Sequence, residues 1–188
     1  LSSERPSISF CPKRGRTLAG EKFGFWIEGD CSAEHKNVDE SFRIVEQLDL
    51  EKFEIWYMSY NGNPKSWYRV DRFLHRVPYE KTPEVYAACD ILLKTSLLES
   101  FSYPPLEMMA SGGYVVAVPN GGNLEYLKDG ENCILYPQGN LAEAKAAIER
   151  ILTDAELRKK LDTGAEETVK ERNWKRIEPQ ILEQYLGK

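Results

Sequence analysis

The sequence predicts an α/β fold, in which a doubly wound parallel sheet of about six strands carries helices on both faces. Short apolar or aromatic segments alternate with helix signals along most of the chain. Such alternation favours parallel strands, because a parallel neighbour needs a crossover connection that is usually helical. Ligands of these sheets bind at the carboxyl ends of the strands, so the loops that follow the strands are the candidate site.

The strands are predicted from runs of apolar, aromatic and β-branched residues that end at glycine or polar positions. They cover residues 22–27, 53–59, 70–74, 90–95, 114–118 and 133–136, and residues 8–11 are compatible with one more short strand. Both faces of such a sheet are covered, which explains why the apolar runs are continuous and do not alternate with polar residues.

The helices are predicted from apolar residues three and four positions apart and from end signals. Thr82 is predicted as an N-cap with Pro83 at the first helical position, and Pro104-Pro105 begins a helix that continues to Ala110. Residues 123–128 are predicted as a short helix. The apolar residues of the first helix are Val38, Phe42, Val45 and Leu48. Three helices are predicted to close the chain, and their apolar stripes are Leu141, Ala144, Ile148, Ile151 and Leu152 in the first, and Leu157, Leu161, Ala165 and Val169 in the second. The third follows Trp174 and has the stripe Ile177, Ile181, Leu182 and Tyr185.

The length of 188 residues suits one α/β domain at residues 21–188, which follows a linker or irregular lead-in at 1–20. The net charge is −5 with both signs well mixed, so the sequence predicts no nucleic-acid partner. The densest basic cluster, Lys13, Arg14 and Arg16, is typical of a solvated linker, with contact to a phosphate or lipid head group as the lesser alternative. The chain begins at Leu1, which we interpret as a piece cut from a longer protein.

The four cysteines have no C-x-x-C spacing and the two histidines do not complete a ligand set, so no metal is expected. No apolar run reaches the roughly 18–20 residues of a membrane helix, and no signal peptide is recognisable. These features predict a cytoplasmic protein, with peripheral association at the inner face of the membrane left open for the full-length protein.

Two carboxylates flank the turn after the fourth predicted strand. Glu99 lies in the loop and Glu107 lies in the first turn of the following helix, eight positions further on. A helix N-terminus offers N–H groups and a partial positive charge to a phosphate, and carboxylates accept hydrogen bonds from sugar hydroxyls. The alternative is that Glu107 only complements the helix dipole and that Glu99 is a solvated loop residue.

The same segment resembles glycosyltransferase family 4, also called group 1, whose retaining members have the GT-B fold and the signature E-G-F-G-x-P-x-x-E-A-M-A-x-G. The similar residues are Glu99, Phe101, Pro104, Glu107, Met109, Ala110 and Gly112. Residues 86–90, 119–125 and 129–135, together with Trp174 and Tyr185, are similar to further motifs of that family. The resemblance runs from about Lys22 to the end, and it implies the Rossmann-like, C-terminal donor-binding half of a GT-B enzyme.

The resemblance also implies the roles of individual residues. Glu99 is expected to be the catalytic residue that orients the donor sugar, and Glu107 to bind the ribose. The other expected donor-binding residues are Lys36 and the turn Ser100, Phe101, Ser102 and Tyr103 for the diphosphate, Arg76 and Val77 for the base, and Gly121 and Gly122 in the G-G-x-x-E loop.

The sequence departs from the family pattern on the phosphate side. Asp30 stands where the family has an arginine, and Ser100 and Ser102 replace two glycines. An acid beside a diphosphate needs a compensating cation, and four basic residues are open candidates for it: Arg69, Arg72, Arg76 and Lys94. His75 is interpreted as a loop residue and not as a catalyst.

These observations predict the donor-binding domain of a retaining, hexosyl-type glycosyltransferase. The resemblance implies a nucleoside diphosphate sugar as donor substrate, no metal or other cofactor, and a glycan or other acceptor bound by a separate N-terminal domain, in cell-surface polysaccharide synthesis. The fragment is expected to bind nucleotide without transferring sugar by itself. The alternative is a non-catalytic nucleotide-sugar-binding or interaction module. A nicotinamide dehydrogenase is disfavoured, since the first strand–helix turn has no G-x-G-x-x-G.

Overall fold

The computed structural model describes residues 22–173, 175–179 and 183, and these form one six-stranded parallel sheet with helices on both faces. The strands are β1 (Phe23–Glu28), β2 (Phe53–Ser59), β3 (Arg72–His75), β4 (Ile91–Lys94), β5 (Tyr114–Ala117) and β6 (Ile134–Leu135). The helices are α1 (Val38–Val45), α2 (Thr82–Ala88), α3 (Tyr103–Ala110), α4 (Leu141–Thr153) and α5 (Ala155–Glu171). The predicted doubly wound α/β fold is therefore confirmed.

The strand order β3-β2-β1-β4-β5-β6 reverses direction between β1 and β4. The two strands pair at Phe25 with Ile91 and at Trp26 with Leu92. Continuing that register by two residues brings Glu28 opposite Lys94, where both strands end. This is the switch point at which sheets of this kind bind ligands.

The core lies in two layers, one on each face of the sheet. Residues of β1 alternate between them: Phe25 and Ile27 pack with α1 and α4, and Trp26 packs on the other face with α2, α3 and α5. All three side chains are fully buried. Both faces of the sheet are thus covered by apolar side chains, so polar ligands can reach the sheet only at its edges and at the ends of its strands.

Two helix ends differ from the sequence prediction. Thr82 is the first residue of α2 and is not its N-cap; Lys81 holds that position without a side-chain hydrogen bond. The physical reason is a single 3₁₀ turn at Tyr79–Lys81 that leads directly into α2, so that carbonyls of the turn accept the first N–H groups. Helix α1 ends at Val45, although Leu48 remains buried in the turn that follows.

The predicted helix at 123–128 is wrong. The chain forms successive turns there: the Leu127 N–H still donates to the Asn123 carbonyl, but the Lys128 N–H donates to the Asn132 side chain at 2.8 Å and not to the Leu124 carbonyl, so the turn is not continued as a helix. The last strand is also shorter than predicted. It covers only Ile134–Leu135, and Cys133 forms an isolated bridge with Asp129.

The remaining predictions at the chain ends are only partly covered by the structure. Residues 175–179 are helical and include Ile177, as predicted. Trp174, Ile181, Leu182 and Tyr185, the lead-in at 1–20 and the short strand at 8–11 lie outside the described residues. None of the helices within the described ranges is long and apolar enough to cross a membrane.

Candidate functional site

The loops after β1, β4 and β5 meet beyond the switch point and are joined by hydrogen bonds. The Leu97 N–H donates to the His35 carbonyl at 2.8 Å, and the Thr95 hydroxyl donates to the Asn37 carbonyl at 2.8 Å. On the other side, the Asn120 side-chain amide donates to the Ser96 carbonyl at 2.9 Å. The loop after β4, which carries Glu99, is therefore held from both neighbours.

Glu99 accepts hydrogen bonds from two lysines. The Lys36 ammonium lies 2.8 Å from its Oε1 atom and the Lys94 ammonium lies 3.0 Å from the same atom. The Glu99 side chain is 13% exposed, so the carboxylate is largely withdrawn from water. The structure thus brings Lys36 and Glu99 together. Of the four candidate cations, Lys94 is the only one that forms an ion pair with Glu99 among the described residues.

The environment keeps Glu99 ionised. Burial opposes ionisation, but the charge of Lys94 and the hydrogen bonds from Lys36 and Lys94 outweigh it and lower the pKa of Glu99 to about 2. Glu99 therefore acts as a hydrogen-bond acceptor and not as a proton donor at neutral pH. That protonation state suits an acid that orients hydroxyl groups.

Lys94 is the most deeply buried charge of the site. Its side chain is 1% exposed and forms ion pairs with Glu99 and with Glu28 at the end of β1. Burial disfavours the charged ammonium, but the charges of Glu28 and Glu99 outweigh that and raise the pKa of Lys94. The ion pair of Glu28 and Lys94 therefore links the ends of β1 and β4 at the switch point.

The turn Ser100–Tyr103 leads into α3 through a strained residue. Ser102 is the N-cap of α3 and has φ +67°, a region that favours glycine. Ser102 is 5% exposed and its hydroxyl has no hydrogen-bond partner among the described residues. Its carbonyl accepts a hydrogen bond from the Tyr126 hydroxyl, and Phe101 packs on the Tyr126 ring with centroids 5.0 Å apart.

The helix terminus offers fewer donors than a usual N-terminus. Pro104 and Pro105 lie in the first turn of α3 and carry no N–H groups. Ser100 is exposed, Phe101 is half-buried and Tyr103 is 61% exposed. Any anion bound here would meet the backbone of the Ser100–Tyr103 turn before the helix itself.

Glu107 differs from Glu99 in its electrostatic environment. Burial is the main effect and raises the pKa of Glu107, assisted by the charge of Glu28; the Tyr86 hydroxyl and Lys94 oppose the rise. Tyr86 is 2% exposed and directs its hydroxyl to this carboxyl. The two acids of the motif thus belong to one electrostatic cluster but have opposite pKa shifts.

Gly122 and Gly121 have different surroundings. A Cβ atom on Gly122 would lie 2.2 Å from the Glu99 carbonyl oxygen, whereas nothing lies within 4 Å of a Cβ on Gly121. Gly122 therefore lets the loop after β5 pack against the Glu99 backbone. Asn120 supports that loop by accepting the Gly122 and Asn123 N–H groups at 3.1 Å each.

Arg76 and Val77 follow β3 and lie beside the loop after β2. Arg76 has φ +52° and its guanidinium donates to the Tyr60 carbonyl at 3.0 Å. The Tyr60 hydroxyl donates to the Val77 carbonyl at 2.9 Å. Both residues are therefore held by Tyr60, and in the described part of the chain neither forms a hydrogen bond to Lys36 or Glu99.

The other basic candidates are engaged elsewhere. Arg69 pairs with Asp71, and Arg72 pairs with Glu54 while stacking on Trp56. Asp30, at the position of the family's arginine, accepts two hydrogen bonds from Ser32, which with the Asn61 side chain lower its pKa despite slight burial. The Asp30 carboxylate is thus fixed within its own loop.

Sequence reasoning gave no role to Glu28, Tyr86, Asn120 and Asn123. The signal for Glu28 was present: a lysine inside the apolar run 90–95 must be buried, and a buried lysine needs an acidic partner. Both asparagines follow a buried strand; Asn120 precedes the predicted helix and Asn123 is its first residue, positions at which asparagine side chains commonly bond to the backbone. Among the described residues, no group of three or more His, Cys, Asp or Glu could hold a metal ion.

The profile of the family "Glycosyl transferases group 1" matches residues 71–168, more than half of the chain. The chain belongs to this family. Of its curated relatives, the O-antigen biosynthesis protein RfbC of Myxococcus xanthus is 35% identical over 117 residues, which are 61% of this chain and 9% of RfbC. A D-inositol 3-phosphate glycosyltransferase of Geodermatophilus obscurus is 33% identical over 116 residues, 62% of this chain and 25% of that protein.

Several solved structures share the fold. Anabaena HepE in complex with UDP-glucose superposes with a TM-score of 0.76 at 21% identity, over 91% of this chain and 50% of HepE. The C-terminal domain of the group 1 glycosyltransferase LpcC from Francisella tularensis superposes with a TM-score of 0.64 at 20% identity, over 81% of this chain and 86% of that domain. The group 1 glycosyltransferase chain described here therefore spans a small part of its curated relatives and about half of HepE.

Proposed function

We propose that this chain is the donor-binding domain, at residues 21–188, of a retaining glycosyltransferase that transfers a hexosyl group from a nucleoside diphosphate sugar to a glycan or other acceptor. The observation that carries the proposal is that Glu99, an ionised and largely buried carboxylate, forms ion pairs with two lysines at the switch point. Membership in group 1 and the relation to RfbC support a role in cell-surface polysaccharide synthesis.

The proposed chemistry is charge stabilisation. As the glycosidic bond to the diphosphate breaks, positive charge develops on the sugar and negative charge on the leaving group. Preorganised cations stabilise such a leaving group without reorganisation. Lys36 supplies the cation and the Ser100–Tyr103 backbone supplies N–H donors, while Glu99 orients the donor sugar and Glu107 the ribose. Arg76 and Val77 frame the base, and Gly121 and Gly122 shape the loop beside the sugar.

The scheme includes no metal: Lys36 and the backbone N–H groups of the Ser100–Tyr103 turn are the proposed partners of the diphosphate. The acceptor is bound by a separate N-terminal domain, as the short coverage of the curated relatives suggests. We place the full-length enzyme in the cytoplasm, at the inner face of the membrane where it meets its acceptor. The free thiols of Cys31 and Cys133 are compatible with that reducing compartment.

Nucleotide binding is the direct test. Calorimetry of the 188-residue chain with UDP, TDP, GDP and ADP, each with and without EDTA, is expected to give saturable binding of at least one nucleotide that EDTA leaves unchanged. Failure of all four to bind overturns the proposal. Substantial sugar transfer by this chain alone would contradict the assignment of the acceptor to another domain.

A second candidate function is a non-catalytic module that binds nucleotide sugar or a partner. Two observations favour it: Asp30 replaces the arginine of the family pattern, and Ser102 has a strained backbone where the pattern has glycine. Glu99→Ala in the full-length protein discriminates between the two. Loss of sugar transfer in a folded variant supports the enzyme, whereas unchanged biological activity supports the module.

A further inference from the structure

The two lysines that hold Glu99 differ in burial and in partners. We propose that Lys94 is a positioning residue that fixes Glu99 permanently, so that Lys36 is free to leave Glu99 and contact the donor diphosphate. The inference rests on the proposed donor-binding function. It assigns different tasks to two cations that bind the same carboxylate oxygen.

Burial decides which lysine can move. The Lys94 side chain is 1% exposed and lies between two acids, whereas the Lys36 side chain is 26% exposed and pairs with Glu99 alone among the described residues. Withdrawing the buried Lys94 ammonium from both acids would leave it desolvated and unpaired and would leave Glu28 without its partner, which is strongly unfavourable. Lys36 can rotate its flexible stem towards an anion at a much smaller cost.

The charge count leads to the same assignment. Lys36 and Lys94 balance Glu28 and Glu99, so the charges of these four ion-paired residues sum to zero without a ligand. If Lys94 were absent, Glu99 would be left buried and unpaired beside an incoming anion whenever Lys36 turned towards a diphosphate. With Lys94 in place, Glu99 keeps a hydrogen-bonded cation and remains available to sugar hydroxyls.

The position of Lys94 is determined by the sheet. Lys94 ends β4 and Glu28 ends β1, in the register that pairs Phe25 with Ile91 and Trp26 with Leu92. The backbone of both partners is therefore held by the central strands. Lys36 instead ends a single 3₁₀ turn in the loop before α1, and its side chain is free of the sheet.

Three variants separate the two roles. Lys94→Met combined with Glu28→Gln removes the fixed cation without leaving its second acid charged, and Lys36→Met removes the mobile one. Lys52→Met combined with Asp49→Asn is the matched control, because it neutralises an exposed pair 3.0 Å apart just before β2, at the amino end of that strand, whereas Glu99 lies beyond the carboxyl ends.

The first measurement needs no nucleotide. Carbon-13 NMR titration of the Glu99 carboxyl is expected to give a pKa of about 2 in the unsubstituted chain and in the Lys52 control. In the Lys94→Met/Glu28→Gln variant the pKa rises towards 4.5, and in Lys36→Met it rises less. A folded double variant that keeps the low pKa overturns the inference. If the double variant does not fold, a rise to about 4.5 in Lys36→Met overturns it instead.

The second measurement compares nucleoside diphosphates with their sugar derivatives by calorimetry, using UDP-glucose, TDP-rhamnose, GDP-mannose and ADP-glucose. Lys36→Met is expected to weaken nucleoside diphosphate binding about tenfold or more, as for a lost charged hydrogen bond. The Lys94→Met/Glu28→Gln variant is expected to keep that affinity within about threefold and to lose the additional affinity from the sugar. The reverse pattern overturns the inference. Absence of any binding to the unsubstituted chain overturns the proposed function instead, and leaves the titration result standing.

Discussion

The backbone of Gly122 lies directly against the backbone of Glu99, so that a Cβ atom on Gly122 would be 2.2 Å from the Glu99 carbonyl oxygen. Real Cβ atoms do not approach an oxygen this closely, so one of the two loops would have to move. The side chain of Glu99 on the same residue pairs with Lys36 and Lys94. The position of the central carboxylate therefore depends on a glycine in a different loop.

Gly122→Ala is expected to displace the Glu99 loop and to lower the free energy of unfolding by about 1–3 kcal/mol, the usual cost of overpacking. Urea denaturation measures the loss, and calorimetry measures the accompanying fall in nucleotide-sugar affinity. Gly121→Ala is the matched comparison, because its Cβ meets nothing within 4 Å and its stability is expected to stay unchanged or to increase slightly. Equal effects of the two substitutions would show that the contact with Glu99 does not matter.

Ser102→Gly is expected to stabilise the chain. The residue has φ +67° and a buried hydroxyl without a partner among the described residues, and glycine removes both unfavourable features. Relief of a left-handed conformation is worth about 1–2 kcal/mol, from which the greater entropy of glycine in the unfolded chain subtracts about 0.4–1 kcal/mol. Ser102→Ala removes only the hydroxyl, so it should be less stable than the glycine variant in urea denaturation. An alanine variant as stable as the glycine variant would rule out backbone strain.

The ionisation of Glu99 predicts a pH dependence of stability. Its folded pKa of about 2 lies below the usual value of 4.5, so its contribution is complete above 4.5 and is lost as the pH falls towards 2. Thermal unfolding between pH 6 and pH 3 is expected to show a smaller loss of stability in Glu99→Gln than in the unsubstituted chain. Parallel curves for the two proteins would contradict the pairing of Glu99 with the two lysines.

Glu107 predicts the opposite effect. Burial raises its folded pKa above 4.5, so the carboxyl stabilises the fold at low pH, and this contribution is lost as the pH rises through the folded pKa. Glu107→Gln, which cannot ionise, is expected to raise the melting temperature at pH 7 while weakening nucleotide binding through loss of the proposed ribose contact. Unchanged or lower thermal stability at pH 7 would argue against burial as the dominant influence on Glu107.

Some parts of the fold and site follow from short-range patterns, and they were predictable for that reason. The apolar run 53–59 forms a strand with the predicted ends, because a buried parallel strand requires continuous apolar residues. Glu99 lies in the predicted loop and Glu107 in the predicted helix, but the placement of Glu107 in the first turn is wrong: α3 begins at Tyr103, one residue earlier than predicted, so that Glu107 lies in its second turn. The helix at 123–128 was predicted wrongly because the Lys128 N–H bonds to the Asn132 side chain, whose position depends on its hydrogen bond to Thr168 in α5.

The sequence by itself determined the order of strands and helices, the class of fold and the resemblance carried by the motif around Glu99, since each of these depends on residues close together in the chain. Only the tertiary structure decided which cations form ion pairs with Glu99. Glu28 and Lys94 are 66 residues apart, and Lys36 and Glu99 are 63 residues apart. Such pairs meet because the parallel register brings the ends of β1 and β4 together, and the depth of burial there decides which lysine is fixed and which can move.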